Sequence, residues 1–143
     1  MSARTDNANS ILTTTDPVVA RGSTMDYNVL LSHLYYKDSN KEDIDLAFVI
    51  GTTSKYHVPY DAPVKFTLRD GTEIGLIQTR DDINFVYVYP TMEDLYRMVN
   101  VGIASISIDC GDGTVEDSIP VSDEDFSTAV NQQLQLLLSM SPR

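Results

Sequence analysis

Residues 64–76 contain the pattern that most restricts the fold: two short alternating runs separated by an Asp-Gly pair. An Asp-Gly pair between alternating apolar runs is the strongest short-range indication of a β-hairpin. Apolar side chains stand at every second position of both runs: Val64, Phe66, Leu68, Ile74 and Leu76. The chain is therefore predicted to form an antiparallel pair of strands with a single apolar face.

The length of the hairpin loop follows from the same alternation. A two-residue loop formed by the Asp-Gly pair would place Phe66 opposite Gly75 and divide the apolar side chains between both faces. A three-residue loop at 69–71 pairs Phe66 with Ile74 and keeps the apolar side chains together. We therefore predict the three-residue loop, with Gly71 in the left-handed conformation of a G1 bulge.

A longer hairpin is predicted upstream. Residues 26–36 fit both a helical stripe and a strand, and their aromatic and β-branched content, followed by a polar turn at 37–43, favours a strand. Residues 44–50 alternate clearly, so we predict that they pair with 26–36. Their predicted inner face consists of Ile44, Leu46, Phe48 and Ile50. A turn-rich connection at 52–63 follows.

A further strand and a short helix are predicted after the Asp-Gly hairpin. Residues 83–89 alternate, and because valines occupy the second face, the strand is predicted to be central and covered on both sides. Pro90 ends this strand, and Thr91 is a suitable N-cap for a short helix. Gly102 suits the end of that helix or the start of the following strand. The side chains of this helix predicted to face the core are Leu95, Met98 and Val99.

The last third of the chain predicts two strands and a helix. Residues 103–109 form a strand, with Ala104, Ile106 and Ile108 inward, and 114–121 return as an edge strand. Ser122 and three acidic residues precede a helix with an apolar stripe: Phe126, Val130, Leu134, Leu137 and Leu138. The predicted fold class is α+β, an antiparallel β-meander with a short helix, two further strands and a C-terminal helix packed on the sheet.

The domain organisation follows from length and local composition. A chain of 143 residues corresponds to one domain. Residues 1–25 are rich in Ser, Thr, Asn and Ala, and we predict a polar N-terminal arm that is either mobile or adds an edge strand. Residues 26–143 are predicted to form the single α+β domain.

The charge of the chain restricts its partners. Lys and Arg number 10 against 21 Asp and Glu, a formal net charge of −11. This balance argues against binding nucleic acid or anionic membranes, because both require a positive surface. No Lys or Arg occurs between Arg97 and Arg143. The acidic side chains of that stretch form a predicted acidic lobe: Asp109, Asp112, Glu116, Asp117, Asp123, Glu124 and Asp125. The lobe could attract a basic partner or cations, although a solvated face is the commoner explanation.

Residue types that carry chemistry are scarce. Cys110 is the single cysteine, which excludes an intrachain disulfide and a thiolate metal cluster. His33 and His57 are the two histidines, and no serine stands in a nucleophile elbow. The loop at 109–117 departs from a calcium loop, because glycines occupy positions that need oxygen ligands. We assign no catalytic, cofactor-binding or metal-binding residue, expect no cofactor, and predict that the chain is not an enzyme.

Tyrosines indicate a different kind of function. We expect several to cluster at one end of the sheet: Tyr35, Tyr36, Tyr56, Tyr60, Tyr87, Tyr89 and Tyr96. Tyrosine is favoured at interfaces because it combines a large area with a polar tip. The predicted function is a non-enzymatic protein-interaction or structural/assembly module, with a protein partner or a homo-oligomer. The alternative is a weak ligand- or cation-binding module that uses the acidic lobe.

The cellular environment is predicted from what the sequence lacks. The chain has no apolar run of the length that a membrane span needs, and residues 1–15 have no apolar core of signal-peptide type. A cytoplasmic-type environment is therefore the default expectation.

A group of features resembles one family of proteins. The features are the strand–Asp-Gly–strand unit, the strand that ends in Tyr89-Pro90, the acidic-capped short helix, the strand at 102–108 and the Gln/Leu-rich helix at 126–140. Together, over residues of about 44–140, they are similar to uncharacterised small α+β proteins of gut Bacteroidetes and their phages. The resemblance implies a non-enzymatic module, with a phage virion component as a narrower role, and transfers no catalytic residue.

Overall fold

A computed structural model describes residues 2–7, 10–36, 38, 41–51 and 55–139 of the chain. The strands are β1 (Ser2–Asn7), β2 (Ser10–Thr14), β3 (Val18–Arg21), β4 (Asp26–Tyr36), β5 (Lys41–Gly51), β6 (His57–Val58), β7 (Pro63–Leu68), β8 (Glu73–Ile77), β9 (Asp82–Ile83), β10 (Phe85–Val88), β11 (Ile103–Asp109) and β12 (Thr114–Ser118). The helices of the described residues are α1 (Met92–Asn100) and α2 (Phe126–Ser139). This arrangement confirms the predicted α+β class with a C-terminal helix.

The strands form two main sheets instead of the one that we predicted. The six-stranded sheet has the order β1-β2-β4-β5-β10, with β3 also paired to β4. The four-stranded sheet has the order β12-β11-β7-β8, and β6 pairs with β9 separately. All the pairings are antiparallel, as expected for a chain of hairpins.

The N-terminal residues belong to the six-stranded sheet of their own chain. β2 and β3 lie end to end along β4, with a one-residue change of register between them. Thr15 bridges this irregularity, because its backbone N donates to Leu31 O at 3.0 Å and its Oγ1 accepts from Leu31 N at 3.0 Å. Ala20 is fully buried. Of the two states predicted for residues 1–25, mobile or adding an edge strand, the described residues of this segment adopt the second, in the sheet of their own chain. Residue 26 lies in the β3–β4 hairpin, and the division of the chain there stays a prediction.

The two predicted hairpins are both present. β4 and β5 pair without interruption from Asp26 opposite Gly51 to Tyr36 opposite Lys41, which confirms the strand interpretation of residues 26–36. In the second hairpin, Phe66 lies opposite Ile74, as the three-residue loop requires. The predicted pairs Val64–Leu76 and Leu68–Thr72 are also found, the second through a bond from Leu68 N to Thr72 O. Gly71 has a φ of +87°, the predicted left-handed conformation.

β10 differs from its prediction as a central strand covered on both sides. It lies at the end of the six-stranded sheet, and Asn84, with a φ of +61°, separates it from β9. Val86 and Val88 are fully buried, whereas Phe85 is 40% exposed. The prediction was wrong because apolar residues on both faces of a strand normally indicate that both faces are covered. Here the face that carries Phe85 and Tyr87 lies at the surface.

A glutamine side chain takes the place of a strand beside β10. Nε2 of the fully buried Gln78 donates to Phe85 O at 2.8 Å, and its Oε1 accepts from Tyr87 N at 2.7 Å. Its backbone bonds Asp61 and Ala62, next to the start of β7. Gln78 therefore joins β10 of the six-stranded sheet to the residues that lead into β7 of the four-stranded sheet.

Both helices are capped by side chains near the predicted positions. Thr91 Oγ1 accepts from Asp94 N in a capping box at α1, as predicted. At α2 the carboxylate of Asp125, and not the hydroxyl of Ser122, accepts from the first turn through Thr128 N at 2.8 Å. An aspartate next to the helix start is the better placed acceptor for the free N–H groups there.

Two details of the predicted inner faces are corrected. Leu138 is 43% exposed, because at about 100° per residue it lies roughly 120° around the helix from Phe126. In β11 a register shift between Ile103 and Ser105 turns Ile103 inward beside the predicted Ile106 and Ile108, while the predicted Ala104 is only half-buried. The edge strand β12 ends at Ser118, short of residue 121.

An aromatic cluster connects both sheets with α2. Phe126 of α2 packs edge-to-face against Phe48 and Tyr27 of the six-stranded sheet, with ring centroids 5.1 Å and 5.4 Å apart. Phe66 of the four-stranded sheet lies 6.2 Å from Phe48 and 5.9 Å from Phe126. All four rings are at most 1% exposed, so the described residues share one core. In the described part of the chain, neither helix has the length and apolarity needed to cross a membrane.

Candidate interaction site

A groove opens on the face of the six-stranded sheet that points away from the aromatic cluster. Its volume is about 300 Å³. Its walls combine apolar, aromatic, acidic and basic side chains: Leu12, Ser32, Leu34, Tyr36, Asp43, Asp45, Arg80 and Tyr89. We call this set the acidic–aromatic groove.

The alternation of the paired strands explains why these side chains meet. Residues of β4 and β5 that lie opposite one another point to the same face of the sheet. Ser32 lies opposite Asp45, and Leu34 lies opposite Asp43. β2 adds Leu12 opposite Leu34. The inward residues of β4 and β5 pack in the core, so the intervening positions carry the groove.

Asp45 is the unusual member of the groove. Its side chain is partly buried, and its Oδ1 is buried without a hydrogen-bond partner among the described residues. Burial raises the pKa of this carboxyl to about 6, although the positive charge of Arg80 lowers it in part. The hydroxyl of Ser32, which lies opposite in the register, is bonded to Thr14 Oγ1 at 3.1 Å. The groove therefore contains a buried acceptor that lacks a donor.

Aromatic side chains of β10 extend the groove across the sheet. The rings of Phe85 and Tyr87 stack nearly parallel, with centroids 5.9 Å apart and an interplanar angle of 8°. The Arg80 guanidinium lies over the Tyr87 ring at 4.4 Å. Tyr89 is 56% exposed. We call Phe85, Tyr87 and Tyr89 the aromatic face; it continues from the groove to solvent.

The predicted tyrosine cluster is found only in part. Tyr36 and Tyr89 line the groove, and Tyr87 lies beside them on β10. Tyr56 borders a different cavity with Cys110, and Tyr96 lies on α1. Tyr35 follows the opposite parity of β4, and Tyr60 stands in the turn before β7. Tyr27, which we did not include in the cluster, is a core residue.

The acidic lobe is not one free surface. Asp117 is 5% exposed, and its carboxylate accepts from Thr24 and Tyr27. Asp125 caps α2, and Glu124 forms an ion pair with Arg21 at 2.7 Å. Among the residues that the structure describes, no three His, Cys, Asp or Glu side chains are grouped as metal ligands would be. The cation-binding alternative therefore gains no site from the lobe and stays a prediction.

The histidines and the cysteine lie on separate elements. His33 is buried in β4 and pairs with Glu42 at 2.6 Å, while His57 of β6 pairs with Asp81 at 2.9 Å on the surface. Cys110 is buried, and burial raises the pKa of its thiol, with the nearby aspartates at 109 and 112 adding to the effect. A raised thiol pKa disfavours the reactive thiolate. The absence of an enzymatic role stays a prediction.

A larger cavity of about 410 Å³ lies on the four-stranded sheet. Its walls are mainly short polar side chains, with one isoleucine and three charged residues: Ser23, Thr24, Lys65, Thr67, Ser105, Ile106, Ser107, Glu116, Asp117 and Ser118. Its buried acid, Asp117, already accepts three hydrogen bonds. The smaller acidic–aromatic groove is the better candidate because it combines exposed rings with an unsatisfied carboxylate oxygen.

Asp45 was not predicted as a site residue. The alternation of β5 placed it on the outward face, where an aspartate is normally solvated. A signal was present in the sequence, since outward positions of β4 and β5 include Leu30, Leu34 and Val49. An aspartate side chain among such apolar neighbours is partly shielded from water. Its position relative to Arg80, however, depends on how the residues after β5 fold.

Comparison with protein-family models, with curated proteins and with solved structures found no match. The resemblance to small proteins of gut Bacteroidetes and their phages therefore stays a prediction.

Proposed function

We propose that this chain is a non-enzymatic protein-interaction or structural/assembly module that contacts a protein partner through the aromatic face and the adjoining groove. The observation that supports this role most directly is the exposure of large side chains on one strand end. Phe85 is 40% exposed and Tyr89 is 56% exposed, and Tyr89 shares the groove with Asp45, whose buried Oδ1 has no hydrogen-bond partner among the described residues. Exposed aromatic groups beside polar ones are typical of interface centres.

β10 is suited to contact a partner through its side chains. β10 has β5 on one side and the Gln78 amide on the other, so its backbone is largely occupied. A partner would therefore bind through the side chains of the aromatic face and not by adding a strand to β10.

Light scattering at several protein concentrations tests whether the partner is a second copy. The double variant Phe85→Ser/Tyr89→Ser removes the two exposed rings of the aromatic face, and Tyr60→Ser removes a 64%-exposed tyrosine elsewhere. Self-association that is lost in the double variant and kept in Tyr60→Ser supports the proposal.

A monomeric wild type leaves a different protein as the partner. Affinity capture from cells or phage that carry the gene then uses the same three proteins. A partner that binds the wild type and Tyr60→Ser but not the double variant supports the proposal. A partner that binds all three equally, or the lack of any partner, contradicts it.

A narrower form of the proposed function is that the chain is a phage virion component. It is supported by the resemblance alone, and the genes that flank this one test it. Neighbouring genes for virion proteins would support the narrower role, whereas neighbouring genes for cellular enzymes would contradict it.

A further inference from the structure

The charges of the acidic–aromatic groove favour a cationic guest. Two carboxylates, Asp43 and Asp45, and one guanidinium, that of Arg80, line it. The guanidinium of Arg80 also lies over the Tyr87 ring, so part of its positive charge acts on the aromatic face and not on the two carboxylates. The groove therefore retains a negative balance, which repels anions and attracts ammonium or guanidinium groups.

The unsatisfied oxygen specifies a hydrogen-bond donor. Asp45 Oδ1 is buried and accepts no hydrogen bond from the described residues. A buried acceptor without a partner costs free energy, and a charged donor recovers more of it than a neutral one. An incoming N–H donor would therefore be held most strongly at the carboxylate of Asp45, which lines the groove.

The remaining walls match the stem of a long basic side chain. Leu12 and Leu34 supply apolar surface, and Tyr36 and Tyr89 supply aromatic rings. Lys and Arg side chains pack their methylene stems on apolar surface, and their cationic heads interact favourably with rings. A bare metal ion would use none of these walls.

The guest is better supplied by a different chain than by a second copy. This chain has a net charge of −11, so two copies repel each other. The groove also continues into the aromatic face, where residues flanking the basic side chain would find contacts. A polypeptide supplies such flanking residues, and a free amine does not.

We infer that the acidic–aromatic groove receives one lysine or arginine side chain of a basic partner polypeptide, with its cationic head at Asp45 and its stem between the leucines and tyrosines. This inference rests on the proposed function and names the chemistry of its partner.

Amide NMR of the full chain tests this inference with a defined probe. The probe is an acetylated and amidated peptide, Gly-Ser-Arg-Ser-Gly, and its control is the same peptide with citrulline in place of arginine. We expect saturable shifts centred on Ser32, Leu34 and Asp45 with the arginine peptide, and much weaker binding of the citrulline peptide.

Two variants with the same change in charge complete the test. Asp45→Asn removes the carboxylate in the groove, and Asp112→Asn removes an exposed one far along the chain. We expect binding about tenfold weaker in Asp45→Asn and unchanged in Asp112→Asn, as for the loss of one charged hydrogen bond.

Several outcomes overturn the inference. Equal binding of the arginine and citrulline peptides, equal losses in both variants, or no saturable shift would each do so. Free agmatine that binds as tightly as the peptide would indicate a small-cation site instead. If the Phe85→Ser/Tyr89→Ser variant loses a partner that Asp45→Asn keeps, the inference fails while the proposed function stands.

Discussion

Gln78 satisfies the open edge of β10 by accepting a hydrogen bond from Tyr87 N at 2.7 Å, while its amide nitrogen donates to Phe85 O. A side-chain amide presents an N–H donor beside a carbonyl acceptor, the same groups that a peptide unit offers. The glutamine therefore replaces one residue of a neighbouring strand, and it holds in place the strand that carries the aromatic face.

Replacing Gln78 by leucine should destabilise the fold strongly. The variant leaves Phe85 O and Tyr87 N without their partner at a partly buried site, at a cost of about 2–4 kcal/mol in the free energy of unfolding. Urea unfolding measures the change. The matched control is Gln132→Leu on the exposed side of α2, which should change stability by less than about 0.5 kcal/mol. Similar losses in both variants would contradict the role of Gln78.

The turn of the Asp-Gly hairpin gives a second matched pair. Gly71 has a φ of +87°, so Gly71→Val forces a β-branched residue into the left-handed region and should cost roughly 2 kcal/mol or more. Gly75 lies exposed in β8, and a Cβ there would meet no atom within 4 Å. Gly75→Val should therefore be neutral or stabilising, because valine favours strands. Thermal unfolding of both variants decides whether the loss of stability in Gly71→Val comes from the backbone conformation or from the size of the added side chain.

The buried carboxylate of Asp117 connects β12 to the β3–β4 hairpin. Its Oδ2 accepts from the Tyr27 hydroxyl at 2.8 Å, and its Oδ1 accepts from Thr24 N at 3.0 Å. Tyr27→Phe removes one of these bonds from a buried site and should cost about 1–3 kcal/mol. In Asp117→Asn the same Tyr27→Phe change should cost clearly less, so a double-mutant cycle measures the coupling. Additive effects would show that the two groups do not interact.

Asp45 should make the stability of the protein depend on pH. Burial raises the pKa of its carboxyl from 3.8 to about 6, so the unfolded chain releases this proton at lower pH than the folded chain. Stability is thus lost as the pH rises through the window between these values. Asp45→Asn should therefore stabilise the protein by about 1–3 kcal/mol near pH 7.5 and by much less near pH 4.

Chemical unfolding of Asp45→Asn at both pH values checks this dependence. The control is Asp43→Asn, which removes an exposed carboxylate from the same strand. A stabilisation of Asp45→Asn that is the same at both pH values would contradict the assigned pKa. A stable variant at neutral pH would also show that the carboxylate is kept at a cost to the fold, as is common at binding sites.

Calcium provides a test of the alternative function. Three acidic residues of the lobe are already engaged: Asp117 accepts hydrogen bonds, Glu124 forms an ion pair with Arg21, and Asp125 caps α2. We therefore expect millimolar calcium to leave the melting temperature unchanged beyond the effect of equal ionic strength. A specific rise would show binding to the folded state and would support the cation-binding alternative.

The accuracy of sequence-based prediction differed between local and long-range features. The register of the Asp-Gly hairpin was predictable because the apolar alternation and the glycine conformation act within a few residues. The division into two sheets was not, because it depends on contacts such as that of Gln78 with β10. Glutamine has the same local preferences whether it lies in solvent or replaces a strand, so its buried position leaves no pattern in the sequence.

The groove shows the same limit. Asp43 and Asp45 could be assigned to the outward face from the alternation of β5. Tyr89 and Arg80 come close to them only because β10 pairs with β5 in the correct register. Leu12 was assigned to an arm, and it reaches the groove because β2 pairs with β4. The site therefore depends on strand pairings between distant segments, which local periodicity does not determine.

Hydroxyl-radical footprinting of the full chain, alone and in its native complex, shows which aromatic side chains the partner covers. We expect oxidation of Phe85 and Tyr89 to fall in the complex, while Tyr60, which is 64% exposed, is oxidised as before. Protection of Tyr60 with unchanged oxidation of Phe85 and Tyr89 would contradict the claim that the aromatic face is the interaction surface.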